Sequence, residues 1–199
     1  MQVGKILFPI TTLGPGQRLG LWMLGCTRNC DGCSNPELQV FDASKNIEVD
    51  KLIDFILDAQ CDGVTISGGE PFLQVKELRK LIEKLNTAGI DDILVYTGFL
   101  KETLENRKDP DIDYILSNIA VLIDGPFIKD LVDDVPLRGS SNQRVWLYKE
   151  QYQKAYSDCL NDVKRIDIIE LKGETHFIGI PFANYKELYP KYIKARKNS

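Results

Sequence analysis

Leu19-Gly20-Leu21-Trp22-Met23-Leu24 runs directly into Gly25-Cys26-Thr27-Arg28-Asn29-Cys30-Asp31-Gly32-Cys33. The first six residues are a short, almost wholly apolar run, which predicts a buried strand over Leu19 to Leu24. Three cysteines at C-x-x-x-C-x-x-C spacing follow, so three thiols leave one loop at the end of that strand.

The rest of the chain repeats the pattern in which a branched apolar run precedes a segment of helical period. Such alternation predicts βα units around a parallel sheet. Glu48 to Gln60 places Val49, Leu52, Ile53, Ile56 and Leu57 on one helical face. Strands are expected at Gly63 to Ser67, Asp92 to Tyr96, Ala120 to Ile123 and Val145 to Tyr148. Helices are expected over Gln74 to Ala88, stopped by Gly89, over Leu100 to Asn118 with an interruption at Pro110, and over Lys149 to Val163. Ile166 to Leu171 and Thr175 to Ile180 flank a short turn suited to a hairpin, and a last helix is expected over Asn184 to Ala195. The tail reads equally as a partner-docking or capping element and as a layer over an exposed sheet edge.

The chain has 199 residues, 43% apolar and 27% charged, which suits one soluble domain, or one domain with an appendage. No apolar run approaches a membrane span, and Met1-Gln2-Val3-Gly4-Lys5 lacks the features of a secretory leader, so a cytoplasmic location is expected. A net charge of -4 gives no reason to expect nucleic-acid binding. The basic tail Lys191, Lys194, Arg196 and Lys197 reads as a solvated helix end.

Five cysteines are present. In a chain with no expected export signal, their clustering favours metal ligation over disulfides. Three thiolates on a tight loop can hold three irons of a [4Fe-4S] cubane and leave the fourth open. Structural zinc wants four ligands, and the fourth would have to be Cys61, Cys159 or the single histidine, His176, none at zinc-finger spacing. A plain ferredoxin also wants a fourth thiolate. Radical chemistry at a cluster, a zinc-stabilised binding module and a simple cluster carrier therefore stay open on the triplet alone. Cys61 and Cys159 read as small packed hydrophobes, His176 as a structural or exposed histidine, and Trp22 and Trp146 as core or barrel interior.

A second motif, Thr65-Ile66-Ser67-Gly68-Gly69-Glu70-Pro71, ends the next strand. Paired glycines there allow a ligand close to the backbone, and Glu70 offers a charged acceptor. Both motifs fall at the same C-terminal end of neighbouring strands, where barrels place their sites.

The triplet with its downstream Gly-Gly-Glu-Pro resembles the radical S-adenosylmethionine superfamily. Gly14-Pro15-Gly16-Gln17-Arg18, Asn35-Pro36, Tyr96-Thr97-Gly98-Phe99, Asp124-Gly125-Pro126-Phe127 and Arg138 to Arg144 are similar to the anaerobic ribonucleotide reductase activating enzymes, of the glycyl-radical activase group. The pyruvate formate-lyase activating enzymes are a more distant match. The resemblance covers roughly residues 10 to 148. It implies a partial (βα)6 barrel as a core over residues 1–148; residues 149–199 extend past where a compact activase of this group would stop and read, from their own pattern, as a C-terminal extension of β-hairpin and helix packed on that core.

The resemblance also implies residue roles. Cys26, Cys30 and Cys33 hold a [4Fe-4S] cluster, whose open iron is chelated by the methionine part of S-adenosylmethionine. Ser67, Gly68, Gly69 and Glu70 receive the amine. Gly32 and Ser34 lie near the adenine, and Thr97, Asp124, Ser140 and Asn142 are candidates for the ribose and carboxylate. Gly32 departs from the wider superfamily, where an aromatic residue is frequent at this position. The implied reaction is reductive cleavage to a 5′-deoxyadenosyl radical, with no side-chain acid or base. The implied partners are a glycyl-radical enzyme and an external electron donor such as flavodoxin or ferredoxin; a maturase acting on a peptide or small molecule is the alternative.

Overall fold

In the computed structural model, residues 1–171, 173–182 and 187–191 are described. A six-stranded sheet carries the strands in chain order: β1 (Val3–Ile10), β2 (Arg18–Met23), β3 (Gly63–Gly68), β4 (Ile93–Tyr96), β5 (Val121–Asp124) and β6 (Arg144–Leu147). β2 to β5 run parallel, while β1 and β6 pair antiparallel on the two edges. The sheet is therefore mixed, not a run of six parallel βα repeats. Between β5 and β6 the chain forms only a short 3-10 turn, Lys129–Leu131, and without a crossover helix it has to return antiparallel. β1 was not expected from the sequence: its burial follows no two-residue alternation, and bulges break its register against β2.

α1 (Val49–Asp58), α2 (Val75–Thr87) and α4 (Pro110–Asn118) bury Val49, Leu52, Ile56, Leu78, Leu81, Leu85, Ile112 and Ile115. With Leu19, Leu21, Met23, Val64, Ile66 and Val95 of the strands these form the main core. Each such fully buried side chain contributes about 1.5–3 kcal/mol. Pro110 does not interrupt one helix but begins another. The chain leaves α3 (Lys101–Glu105) through Lys108 at φ 52°, and the Asp109 carboxylate accepts from the Asp111 N–H (2.9 Å). α5 (Gln153–Leu160), shorter than the expected helix, packs Tyr156 on the opposite face against Leu94, Val121 and Ile123.

β7 (Asp167–Leu171) and β8 (Glu174–Ile178) form the expected hairpin as a separate two-stranded sheet. Residues 187–191 are helical; the remainder of the helix expected over Asn184 to Ala195, and the basic tail beyond Lys191, lie outside the described residues. No helix among the described residues is long and apolar enough to cross a membrane.

The N-terminal ends of the parallel strands are tied by a buried polar network. Arg18 is fully buried; its guanidinium pairs with Asp92 (2.6 Å) and donates to Thr65 Oγ1 (2.7 Å) and the Val64 carbonyl (3.0 Å). The Tyr156 hydroxyl donates to Asp92 from the other side (2.7 Å). Replacing Arg18 by Met would leave a buried carboxylate without its charge partner, so R18M is expected to lower stability by about 3–5 kcal/mol in chemical denaturation. The double variant R18M/D92L should recover part of that loss; a double variant as unstable as the single one would contradict this reading.

Candidate functional site

β2 is buried along its whole length and delivers the chain to Gly25 and the cysteine loop. The loop turns through left-handed residues at Asn29 (φ 46°) and Gly32 (φ 74°), and the Cys33 N–H donates to the Cys30 carbonyl (3.2 Å). Its return limb passes a 3-10 turn, Pro36–Leu38, where Gly25 N–H donates to Leu38 O and Cys26 N–H to Gln39 O, both at 2.8 Å. The loop is thus closed at its root by backbone hydrogen bonds.

Cys26, Cys30 and Cys33 are half-buried free thiols that line one cleft of about 610 Å³. Burial pushes the Cys26 thiol up; a hydrogen bond from the Arg28 backbone opposes this, and the nearby Glu70, Cys30 and Cys33 reinforce it. Among the described residues, no three His, Cys, Asp or Glu side chains converge closely enough to hold one ion. The loop presents three thiols to one cleft, the donor set that a [4Fe-4S] group with one open iron requires. Cys61 packs against the main core and Cys159 beside Tyr156, both off the cleft lining, whereas His176 lines the cleft.

The second motif meets the first backbone to backbone. Gly69 N–H donates to Met23 O and Glu70 N–H to Gly25 O, each at 2.8 Å. A Cβ on Gly68, which sits at φ 116°, would fall 2.2 Å from Met23 N, and one on Gly69 would fall 2.2 Å from Gly25 O. These glycines are thus required first for the docking of the two loops, before any ligand is considered.

Glu70 is buried, and protein donors already engage both of its oxygens. Oε1 accepts from Thr97 Oγ1 (2.8 Å) and Phe72 N–H (3.1 Å), and Oε2 from Gly98 N–H (2.8 Å). Burial pushes its carboxyl above the ordinary range, opposed by those three hydrogen bonds and by the charge of Arg28. The Gly-Gly-Glu-Pro and Tyr-Thr-Gly-Phe motifs, far apart in sequence, therefore form one unit.

Gly32, Ser34, Ser67, Gly68, Gly69, Glu70 and Thr97 all line the cleft. Asp124, Ser140 and Asn142 are not on its lining; the structure puts them behind the wall. Asp124 accepts from Lys101 N–H (2.6 Å) and Arg144 Nε (3.0 Å). Ser140 Oγ accepts from Ile128 N–H (3.1 Å), and Asn142 Nδ2 donates to Pro126 O (2.8 Å) while its Oδ1 is buried without a partner. They fix the loops that bring Gly125, Phe127 and Gly139 to the cleft. Sequence reading missed Arg28, which lies over the Phe99 ring at 4.7 Å with its Nε buried and unpartnered, and also missed the hairpin residues on the lining. Arg28 stands inside the cysteine loop, which was the only signal for it.

The family of 4Fe-4S single cluster domains matches residues 12–146. The anaerobic ribonucleoside-triphosphate reductase-activating protein of Haemophilus influenzae is 32% identical over 145 residues, 68% of this chain and 91% of that protein. Its namesake from Escherichia coli K12 is 33% identical over 142 residues, 66% of this chain and 89% of that protein. The pyruvate formate-lyase-activating enzyme of Staphylococcus aureus is 38% identical over 91 residues, 42% of this chain and 36% of that protein.

Because a methyl group at residue 69 would drive the two loops apart, G69A is expected to cost about 1–3 kcal/mol. It should also lower the iron bound per chain after anaerobic reconstitution, measured by iron analysis. Iron loading equal to wild type would show that the loops need not touch.

Proposed function

This chain belongs to the 4Fe-4S single cluster domain family and, within the radical S-adenosylmethionine enzymes, to the glycyl-radical activases; from that premise we propose that it installs a glycyl radical on a large anaerobic enzyme. The observation that carries the reading is the locking of the Cys26–Cys33 loop and the Ser67–Glu70 turn into one wall of a single cleft.

Cys26, Cys30 and Cys33 are proposed to hold the cluster. Bound there with S-adenosylmethionine, it would supply one electron to the sulfonium, releasing methionine and a 5′-deoxyadenosyl radical. The chain's own task is to orient and to shield. Ser67, Gly68, Gly69 and Glu70 are assigned the cofactor amine. The hydrogen bonds that already hold Glu70 fix its carboxylate in place at the cleft wall. Gly32 and Ser34 are assigned the adenine and Thr97 the ribose, while Asp124, Ser140 and Asn142 contribute through the loops they anchor. No residue is asked to act as a general base.

We read the sheet as a partial barrel whose inner face carries Trp22 and Tyr96 towards the cleft, residues 1–148 as the catalytic core and residues 149–199 as an extension packed on it. The proposed setting is the cytoplasm, with a small acidic electron carrier, flavodoxin or ferredoxin, as reductant and the glycyl-radical enzyme as target.

Wild-type protein reconstituted anaerobically with iron and sulfide should convert S-adenosylmethionine to 5′-deoxyadenosine on addition of dithionite, and C30A should not. Absence of that product from the wild type, measured by chromatography, would remove the enzyme reading. Co-purification under anoxic conditions should retrieve a large glycyl-radical enzyme; retrieval of a small peptide instead would favour a maturase.

A further inference from the structure

The family match ends at residue 146, yet part of the cleft wall comes from beyond it. β8 and the strap after it present Thr175, His176, Phe177, Ile180 and Phe182 to the same space as the three cysteines. The Haemophilus protein is 91% accounted for by its alignment, which leaves little of it over to supply such a wall.

A two-stranded sheet is not stable alone, so the position of this hairpin depends on its seat. Asp167 provides it. Its carboxylate accepts from Thr11 N–H (2.6 Å) and Thr11 Oγ1 (2.9 Å). The Thr12 hydroxyl lies 3.1 Å from Asp167 Oδ2 and 2.9 Å from the Ile178 carbonyl, with one proton to share between them. Ile178 packs beside Leu7, Ile10, Leu13 and Trp22, so apolar and polar contacts anchor the same strand end. Phe177 stacks on Tyr189, ring centroids 4.0 Å apart and 5° from parallel. A pair of stacked rings is a rigid surface with little rotamer entropy left to lose.

Resting on the activase reading, we propose that this hairpin is a working wall of the radical cleft, with Phe177 facing the reaction space and Asp167 as the positioning residue. It restricts the target to a narrow, extended segment of polypeptide. The hairpin, the cysteine loop and the Ser67–Glu70 turn all line one cleft of about 610 Å³, so a target that reaches the radical has to enter beside Phe177. The wall further keeps small hydrogen donors from the radical before the target arrives.

The test uses full-length reconstituted protein without target, in buffer containing perdeuterated glycerol. A radical that meets glycerol takes a deuterium atom, the C–D bond breaks, and glycerol carries the unpaired electron away, leaving deuterated 5′-deoxyadenosine for mass spectrometry. Wild type should give little deuterated product, and F177A and D167A several-fold more. Amide hydrogen exchange on the protein before cluster loading gives the second readout. D167A should raise exchange across residues 167–178 and leave residues 63–68 as in wild type, whereas F177A should preserve the seat. If wild type makes no 5′-deoxyadenosine, the activase reading falls and this proposal with it. If it does, and neither variant captures more deuterium than wild type, the hairpin proposal falls while the activase reading stands. Unchanged exchange in D167A would overturn the role of Asp167.

Discussion

The close approach of two backbones governs this structure. At the ends of β2 and β3, Gly68 and Gly69 lie against Met23 and Gly25 with no space for a side chain, and two main-chain hydrogen bonds seal the contact. Everything in the cleft refers to that seam. It sets the distance from the cysteine loop to the Ser67–Glu70 turn, and it places Glu70 where Thr97 and Gly98 of the next strand end can bind it. A pocket held by main-chain contacts on rigid strands keeps its shape better than one held by long side chains, which is what control of a reactive radical requires.

Much of this was legible in the sequence because the signals are local. The cysteine spacing, the glycine pair and the apolar faces of α1 and α2 each lie within a few residues, and the structure realises the elements within a residue or two of the expected bounds, although Leu57, expected on the buried face of α1, is exposed. The parallel order of β2 to β5 followed from the alternation of strand and helix. The edges did not. β1 hides in Val3–Ile10 because a bulged strand with one face half-wet shows no clean period, and β6 runs antiparallel because the preceding loop carries no helix.

The site divides along the same line. Residues from the two motifs line the cleft, whereas Asp124, Ser140 and Asn142 support its wall from behind. A motif string shows that polar residues cluster; it does not show which side of a loop they take. His176 was legible only as a possible fourth zinc ligand or a structural histidine and Phe177 not at all, because their place on the cleft depends on the hairpin folding back to Thr11 and Thr12, a contact across 156 positions that no local pattern encodes.

The buried Arg18–Asp92 pair and the cysteine loop sit at opposite ends of one strand. At about 3.3 Å per residue, β2 separates them by about 17 Å. Durability and chemistry thus have different addresses along the same six residues. The lower end can be rebuilt for a hotter or harsher environment without disturbing the reactive end, and the upper loops can diversify towards new targets without loosening the scaffold.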